Sequence, residues 1–456
     1  MKKQILTLLL ITTFIYANAQ SVNIPDPNFK SYLVALTALN TNGDSTIQTS
    51  EASSYTGKIN TGATAINDLR GIEAFENIIE LTVTAGTFTS IDLTKNTKLN
   101  KLTLRNSQIT SLDLSTNTIL ETVNCTSNPL LASLEVSNCT DLRLLICGGN
   151  NLSSLTLPQS TTLTRVDCFA NKLTSLDMTP APNLTDLTCY DNQMTSINLS
   201  GNSKLTYLNT GQNPFESIDL SALDDLDFFN CYDCGLDDID LTSNTAITSL
   251  SLNSNNFTSI DLSKNKNLKT FNCQSGKLTS IDLSEVTSLV SVNCASNELK
   301  FIDVSMLPHL ISLNISSNPM ESINVANGNN TNFTTFRAVG CPNLSCVQVD
   351  DTAYSQANWD AINASITSFK IECQAPSLGI ENITYRSNIY PNPATNKLNI
   401  ATDDLPKYME IYASNGQSVL KTRFQNSIDV SSLTKGLYIF KLDFEHGSTF
   451  TKFQKQ

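Results

Sequence analysis

Residues 205–220 read L-T-Y-L-N-T-G-Q-N-P-F-E-S-I-D-L, and variants of this phrase return along most of the chain. The phrase ends on S-I-D-L, whose apolar Ile or Leu recurs at a nearly constant interval. Ten of the eleven steps between these residues are 21 residues long and one is 22. Such a short, regular period predicts a solenoid of stacked turns. The recurring residues are Ile91, Leu112, Leu134, Leu155, Leu176, Ile197, Ile218, Ile239, Ile260, Ile281, Ile302 and Ile323.

The content of one turn indicates the kind of solenoid. The turn that begins at Leu205 has the form L-x-x-L-x-C-x-x-N-x-L-x-x-I-x-L with Thr at the Cys position, and the turn that begins at Leu184 has Cys189 there. This pattern resembles the leucine-rich repeat in a short bacterial variety. About six apolar residues per turn cannot form a core alone, but they can stack on those of adjacent turns. We therefore expect a mainly β solenoid whose short strands pair in parallel about 4.8 Å apart.

Two polar residue types also recur at fixed positions. A buried Asn should bond backbone groups of its own and neighbouring turns, and we expect loosening where Ser107, Cys234 and Gly276 replace it. The Asp of S-I-D-L either closes the turn by accepting local hydrogen bonds, which we favour, or lines an edge that attracts cations. The positions are Asn128, Asn150, Asn171, Asn192, Asn213, Asn255, Asn297 and Asn318, and Asp92, Asp113, Asp177, Asp219, Asp240, Asp261, Asp282 and Asp303.

Most of the twelve cysteines are predicted to be core residues. Seven fall at the inward strand position, where they should behave as small hydrophobes. Cys231 and Cys234 form a single C-x-x-C without a second pair, which disfavours a zinc or redox site. Cys346 and Cys373 bracket a segment outside the repeats, and we predict a disulfide between them that closes a cap. The seven inward cysteines are Cys125, Cys147, Cys168, Cys189, Cys231, Cys273 and Cys294.

The first residues predict export. Lys2 and Lys3 precede an apolar run, and Ala17-Asn18-Ala19 is a small-x-small cleavage site, so residues 1–19 are predicted to be a signal peptide. No later stretch is long and apolar enough to span a bilayer, so we expect no transmembrane segment.

Residues from about 385 onward abandon the repeat. Apolar alternation between turn residues predicts a small antiparallel β-sandwich. The segment contains, in order, Y-P-N-P at 390–393, N-G-Q at 415–417, I-D-V-S-S-L at 428–433 and G-L-Y at 436–438. These motifs closely resemble the C-terminal sorting domain of the type IX (Por) secretion system. The resemblance implies a secretion signal, normally removed on the outer surface, with the passenger secreted or attached to the cell surface. An adhesive sandwich domain is the alternative.

The N-terminal part contains a candidate calcium loop. Residues 40–51 have the spacing of an EF-hand or dockerin-like loop, with oxygen ligands from Asn40, Asn42, Asp44, the Thr46 carbonyl and Glu51. Asn stands at the first ligand position and Ser45 replaces the usual Gly, so affinity for Ca²⁺ would be modest. A polar turn between two cap helices is the favoured alternative.

The chain therefore divides into five predicted segments. They are a signal peptide at 1–19, an N-terminal cap with the EF-hand-like loop at 20–58, the leucine-rich repeat solenoid at 59–349, a C-terminal cap and linker at 350–384, and the sorting domain at 385–456.

Composition excludes several functions. A net charge of −13 argues against nucleic acid and anionic membranes as partners. The only histidines are His309 and His446, and no nucleophile, metalloprotease or phosphate-binding motif is present. A flat strand face also offers no pocket that would raise the pKa of a carboxylate for glycoside hydrolysis. We expect no enzyme and no cofactor other than the calcium considered above.

Function in a solenoid is expected where an outward strand position departs from the repeat. Most outward positions are Ser, Thr or Asn, but four successive turns carry aromatic residues, carboxylates and amides. With the turns stacked, these side chains should form one cluster that suits sugar rings or a protein hot spot. The alternative is that the aromatics merely favour strand pairing. The predicted ligand-binding residues are Asp167, Phe169, Asp186, Tyr190, Tyr207, Asn209, Phe228, Asn230 and Tyr232.

Two functional hypotheses follow from these patterns. The first is a secreted or surface-attached protein that recognises a protein or glycan ligand on its strand face, with a role in adhesion. The second is a structural or spacer protein of the cell surface that has no specific ligand.

Overall fold

The computed structural model describes residues 20–359, 368–373, 387–402, 405–413, 417–444 and 447–456. The predicted signal peptide, Asn415, Gly416 and His446 lie outside these ranges. The described residues form two compact units that divide after Cys373. No helix among them has the length and apolarity needed to cross a membrane.

The first unit is a solenoid built on one long parallel sheet. In the described part of the chain this sheet has 14 strands. Adjacent strands pair one turn apart, so that Tyr207 lies between Asp186 and Phe228 in the register. The strands are β1 (Lys58–Asn60), β2 (Glu80–Val83), β3 (Lys101–Leu104), β5 (Thr122–Asn124), β7 (Leu144–Ile146), β8 (Arg165–Asp167), β9 (Asp186–Thr188), β10 (Tyr207–Asn209), β11 (Phe228–Asn230), β12 (Ser249–Ser251), β13 (Thr270–Asn272), β14 (Ser291–Asn293), β16 (Ser312–Asn314) and β18 (Thr335–Arg337).

The S-I-D-L segments run on a second side of the turns. There they form short parallel pairings at both ends of the solenoid, β4 (Ser111–Asp113) with β6 (Ser133–Glu135), and β15 (Phe301–Asp303) with β17 (Ser322–Asn324), β19 (Cys346–Gln348) and β20 (Phe369–Lys370). Strand β20 lies in the segment predicted as cap and linker, so pairing continues beyond the predicted last turn at 349. The mainly β solenoid predicted from the period is confirmed.

The core is the stack of inward side chains. In β10, Leu208 is buried between half-buried Tyr207 and Asn209, and the same alternation recurs from strand to strand. The inward cysteines continue this stack after each strand. Burial raises the pKa of Cys125 and of Cys168 to about 12, so these thiols stay neutral and pack as apolar groups. The Sγ atoms of Cys273 and Cys294, in adjacent turns, lie 3.2 Å apart.

Cys231 departs from the prediction because it is disulfide-bonded to Cys234. The turn that follows β11 brings the two Cα atoms to 5.8 Å, which is within the range of a disulfide. A second disulfide joins Cys346 to Cys373, with Cα atoms 6.0 Å apart. It connects β19 to the residues that follow β20.

The repeated Asn side chains bond successive turns to one another. The Nδ2 group of Asn192 donates to the carbonyl oxygens of Cys168 and Cys189, both at 3.1 Å, and its Oδ1 accepts the N–H of Leu173 at 3.0 Å. One amide thus satisfies backbone groups of two turns. Where Cys234 replaces Asn, the next Asn still accepts its N–H at 3.2 Å, so this turn keeps its inter-turn bond despite the expected loosening.

A second series of buried Asn residues was not predicted. It lies four residues after the Asp of S-I-D-L, or after Asn198 at the same position in the case of Asn202, and each Nδ2 donates to two carbonyl oxygens of the preceding turn. Asn244, for example, donates to Leu220 and Leu223, both at 2.9 Å. Every turn that carries both Asn residues is therefore bonded to its predecessor at two places. The series comprises Asn96, Asn117, Asn202, Asn244 and Asn265, and its Oδ1 atoms have no partner in the described residues.

The repeated Asp residues close the turn, as the favoured interpretation predicted. Asp240 Oδ1 accepts the N–H of Thr242 at 2.9 Å and the Thr242 hydroxyl at 2.6 Å. These hydrogen bonds lower the pKa of the Asp240 carboxyl, although burial and the neighbouring Asp219 and Asp261 act in the opposite direction. The same contact from the residue two positions on recurs at the other seven Asp positions.

Caps cover both ends of the solenoid. Helices α1 (Pro27–Ala35) and α2 (Thr49–Ser54) precede β1, and 3-10 helix Ile72–Ala74 follows it. Asp26 accepts the N–H groups of Asn28 and Phe29, while its second oxygen accepts the N–H of Asn67 in the first turn. At the other end, 3-10 helix Asn330–Asn332 and α3 (Thr352–Trp359) follow, and Trp359 packs 4.8 Å from the ring of Phe336.

The second unit consists of two antiparallel sheets with a shared core. One sheet contains β21 (Ser387–Tyr390), β22 (Lys397–Thr402) and β25 (Ser427–Asp429), and the other contains β23 (Tyr408–Ala413), β24 (Ser418–Arg423), β26 (Gly436–Phe444) and β27 (Gly447–Lys455). Ile400 and Ile428 from the first sheet share one buried cluster with Ile411 and Phe440 from the second.

Removing one Asn of the first series should weaken the solenoid. Asn213→Ala deletes bonds to the carbonyls of Cys189 and Thr210 and to the N–H of Met194, so the buried Met194 N–H loses its acceptor, while the Cys189 carbonyl keeps its bond from Asn192. We expect a loss of at least about 1–3 kcal/mol, read as a lower urea midpoint. Asn267→Ala is the matched control, because Asn267 is exposed, and it should stay within about 0.5 kcal/mol. Equal effects of the two changes would contradict a role for the buried bonds.

Candidate functional site

The aromatic residues of the predicted cluster form two separate stacks on the outward face of the long sheet. Tyr207 and Phe228 occupy the first outward position of their strands, and their rings stack with centroids 4.4 Å apart and an interplanar angle of 5°. Phe169 and Tyr190 lie just past the ends of β8 and β9 and stack at 5.0 Å and 7°. The aromatic residues of the predicted cluster thus form two columns, which lie four residues apart in the sequence of each turn.

Glycine makes room for the rings of the second column. Gly148 lies 21 residues before Phe169, and Gly211 lies 21 residues before Tyr232. A methyl group on Gly148 would come within 2.5 Å of the Phe169 ring, and one on Gly211 would overlap the Tyr232 ring. Neither glycine has a positive φ, so neither is required by its backbone conformation. At both positions the aromatic ring of the next turn occupies the space that a side chain would otherwise fill.

Asp167 is the most buried charge on this face. It is 5 % exposed and accepts two hydrogen bonds from Arg165, whose side chain stays 51 % exposed. The hydrogen bonds that Arg165 donates to Asp167, followed by the charges of Asp167 and Asp186, raise the pKa of the Arg165 guanidinium. Arg165, Asp186, Thr188 and Tyr207 line an open depression of about 220 Å³.

Polar residues lie between the two aromatic columns. Asn230 Oδ1 accepts the N–H of Tyr232 at 3.2 Å, and the equivalent Asn in several other turns does the same. Asn209 is different, because its buried Oδ1 has no hydrogen-bond partner among the described residues. Burial, and after it the carboxylates of Asp191 and Asp167, raises the pKa of the Tyr190 hydroxyl, so these acids lie close to the second column.

Sequence reasoning missed part of this surface. The outward residues of β7 are Leu144 and Ile146, both half-buried, and they lie one turn before Arg165 and Asp167. The sequence pattern could have revealed them, since no other strand of the long sheet carries aliphatic residues at both outward positions. We name the apolar residues of five successive turns the strand-face patch: Leu144, Ile146, Phe169, Tyr190, Tyr207, Phe228 and Tyr232.

The candidate calcium loop is hydrogen-bonded internally. Glu51 Oε1 accepts the N–H groups of Thr41 and Asn42, and its Oε2 accepts the N–H of Gln48. Burial alone would raise the pKa of Glu51, but these bonds together lower it. Asp44 accepts hydrogen bonds through both oxygens from Thr46, Asn42 and Gln48. The carboxylates of Asp44 and Glu51 thus accept hydrogen bonds from within the loop, and calcium binding by this loop stays a prediction.

The C-terminal unit matches a known family. Residues 388–456 match the secretion system C-terminal sorting domain. The match agrees with the type IX resemblance and indicates that the chain is exported to the cell surface or secreted. No curated protein matches the chain as a whole.

Two solved structures share the solenoid fold. The functional domain of InlJ from Listeria monocytogenes, which includes a cysteine ladder, has a TM-score of 0.58 and 23% identity, and the alignment covers 96% of this chain and 98% of that one. The internalin InlF from the same species has a TM-score of 0.56 and 21% identity, with 73% and 98% covered. At these identities the likeness shows the leucine-rich repeat fold alone.

The contact between Gly211 and Tyr232 can be tested with a double-mutant cycle. Gly211→Ala should destabilise the chain by about 1–3 kcal/mol in urea unfolding, because the added methyl group displaces the ring. In the background of Tyr232→Ala the same change should be neutral or stabilising by up to about 1 kcal/mol, since the backbone accepts alanine.

Gly201→Ala serves as the control for this cycle, because nothing lies within 4 Å of its added methyl group. It should behave alike in both backgrounds. An effect of Gly211→Ala that does not depend on Tyr232 would contradict the ring contact.

Calcium binding can be tested on the purified chain by thermal unfolding. We expect millimolar CaCl₂ to leave the melting temperature unchanged relative to MgCl₂, because the carboxylate oxygens of Asp44 and Glu51 already accept hydrogen bonds. A rise that is specific to Ca²⁺ and is lost in Asp44→Asn would instead support the cation site.

Proposed function

The chain is a leucine-rich repeat solenoid followed by a secretion-system sorting domain, and on this premise we propose that it is an exported surface protein that binds another protein through the strand-face patch. The single observation that carries the proposal is the concentration of aromatic and aliphatic side chains on an outward sheet face that is elsewhere polar. Contiguous apolar groups with aromatic residues at their centre are typical of protein-binding hot spots.

The flanking turns support the choice of this surface. On the C-terminal side, the outward residues of β12, β13, β14 and β16 are all Ser, Thr or Asn. On the N-terminal side, Glu80 is ion-paired with Lys58 and Lys101, both at 2.9 Å. Cross-strand pairing alone would not concentrate five aromatic residues in four adjacent turns, so the patch favours recognition over a spacer role.

The proposed role is binding without catalysis. Asp167 is the carboxylate whose burial would best suit a general acid, but the bidentate contact with Arg165 holds it as an ion pair. A ligand-orienting role for Asp167 and Arg165 fits this geometry better. Adhesion is the physiological use that we propose for a binding protein exported to the cell surface.

Replacing Tyr190, Tyr207 and Phe228 together by Ala should abolish ligand capture. The purified chain is screened against a cell-surface protein array and a glycan array, and each hit is titrated by biolayer interferometry. Because hot-spot aromatics contribute about 2 kcal/mol or more each, the triple variant should lose at least about 100-fold in affinity for a protein hit.

Phe301→Ala is the matched control, because Phe301 lies on strand β15 of the other sheet and is 37 % exposed. It should leave affinity unchanged. If the triple variant and the control both bind a hit as tightly as the native chain does, the patch is not the binding site. A screen without any hit would favour the hypothesis of a spacer protein.

A further inference from the structure

We propose that the strand-face patch binds a positively charged, extended segment of its partner protein, with Asp186, Asp191 and Asp233 holding Lys or Arg side chains beside the aromatic rings. This inference rests on the proposed function and names the chemistry of the partner.

The charged residues within and directly after strands β9 to β11 are all acidic. Asp186 lies at the start of β9, opposite Tyr207 in the register, while Asp191 and Asp233 directly follow Tyr190 and Tyr232. Burial, and then the charges of Tyr190, Asp191 and Asp233, raises the pKa of the Tyr232 hydroxyl, so both acids are close to the second aromatic column. Arg165 is the one basic residue within strands β7 to β11, all of which the structure describes, and it is ion-paired with Asp167.

Arg165 lies opposite Asp186 in the register and interacts with its charge without forming an ion pair with it. In the part of the chain that the structure describes, no ion pair joins Asp186, Asp191 or Asp233 to a basic side chain. This contrasts with Glu80, which is paired with two lysines on the same sheet. A partner that brings ammonium or guanidinium groups would complete these pairs, and such complementarity speeds association and excludes acidic competitors.

The dimensions of the patch suit an extended segment. It runs from β7 to β11, and five strands at about 4.8 Å spacing span about 20 Å. A peptide in extended conformation covers this length with about six residues at about 3.3 Å each. Asp191 and Asp233 are two turns apart, about 10 Å, which lies between the spacing of side chains two residues apart (about 6.6 Å) and four residues apart (about 13 Å) in such a peptide. Long Lys or Arg side chains can bridge the remaining difference of about 3 Å.

The aromatic geometry favours a peptide over a sugar. Sugar rings bind on open faces of aromatic rings, but here the faces of Phe169 and Tyr190 cover one another, as do those of Tyr207 and Phe228. Leu144 and Ile146 extend the surface with aliphatic groups. Rim carboxylates around an apolar centre are the complement of a segment that alternates basic and apolar residues.

The test compares three synthetic peptides of equal length and apolar content, with lysines, glutamines or glutamates at the same alternate positions. Binding to the purified full chain is measured by biolayer interferometry. The lysine peptide should bind at least about tenfold tighter than the glutamine peptide, equivalent to about 1.4 kcal/mol, and the glutamate peptide should not bind. Raising the NaCl concentration from about 0.05 M to about 0.5 M should weaken binding of the lysine peptide, because salt screens the charges.

Two triple variants with equal net charge separate local from overall electrostatics. In the first variant the three acids of the patch are neutralised, as Asp186→Asn/Asp191→Asn/Asp233→Asn. Its affinity for the lysine peptide should fall by about tenfold or more. In the second variant three exposed acids outside the patch are neutralised, as Asp224→Asn/Asp225→Asn/Asp237→Asn. Its affinity for the lysine peptide should stay within about twofold of that of the native chain. Thermal unfolding of both variants checks that they are folded.

The outcomes distinguish this inference from the proposed function. Three outcomes would contradict the proposal that the patch binds a basic segment. They are equal binding of the three peptides, equal losses of affinity in the two triple variants, and no binding of the lysine peptide. The protein-binding role would still stand if the aromatic triple variant loses a protein hit from the array. Glycan hits that depend on the aromatic residues would overturn both the basic segment and the choice of a protein ligand.

Discussion

Hydrogen bonds from buried Asn amides to the backbone of the preceding turn are the interaction on which the rest of the structure depends. A turn of this solenoid has only three residues of strand on the long sheet, so strand pairing alone satisfies few of its backbone groups. Asn192 and its equivalents satisfy the groups that leave the strand, and Asn244 and its equivalents satisfy those on the second side. With both sides bonded, each turn is held in register with its neighbour, and outward residues one turn apart fall into straight columns.

The candidate site follows from this register. Tyr207 and Phe228 stack because the sheet pairs them directly, and Phe169 and Tyr190 stack because they occupy equivalent positions one turn apart. The solenoid needs no special backbone to hold these rings. It needs only that the preceding turn leave space for each ring, and Gly148 leaves that space for Phe169 and Gly211 for Tyr232. A binding surface of this kind is made by substitutions at outward positions, while the inward Leu, Cys and Asn residues keep the fold unchanged.

The repeat and the first Asn series could be predicted because periodic residues reveal themselves by spacing alone. The division of the aromatics into two columns was also readable, since Tyr207 directly precedes an inward Leu and Tyr190 lies three residues after one. The pairing of Gly211 with Tyr232 was harder, because it depends on the direction in which a side chain leans from the next turn. The loop at Asn40 to Glu51 shows a different limit. Spacing that suits calcium ligands equally suits a carboxylate that accepts backbone N–H groups at the start of a helix, as Glu51 does from Thr41 and Gln48, so spacing alone does not separate the two.

The near-constant length of the turns has a consequence for how this surface can evolve. Because strands pair only with neighbours one period away, a duplication or deletion of one whole period outside β7 to β11 would leave the patch intact and only change its distance from the ends of the solenoid. The same event inside those strands would split the stacks or insert a neutral row between them. Proteins that descend from this chain should therefore vary in the number of turns on either side of the patch. The turns that carry the aromatic rings should hardly vary.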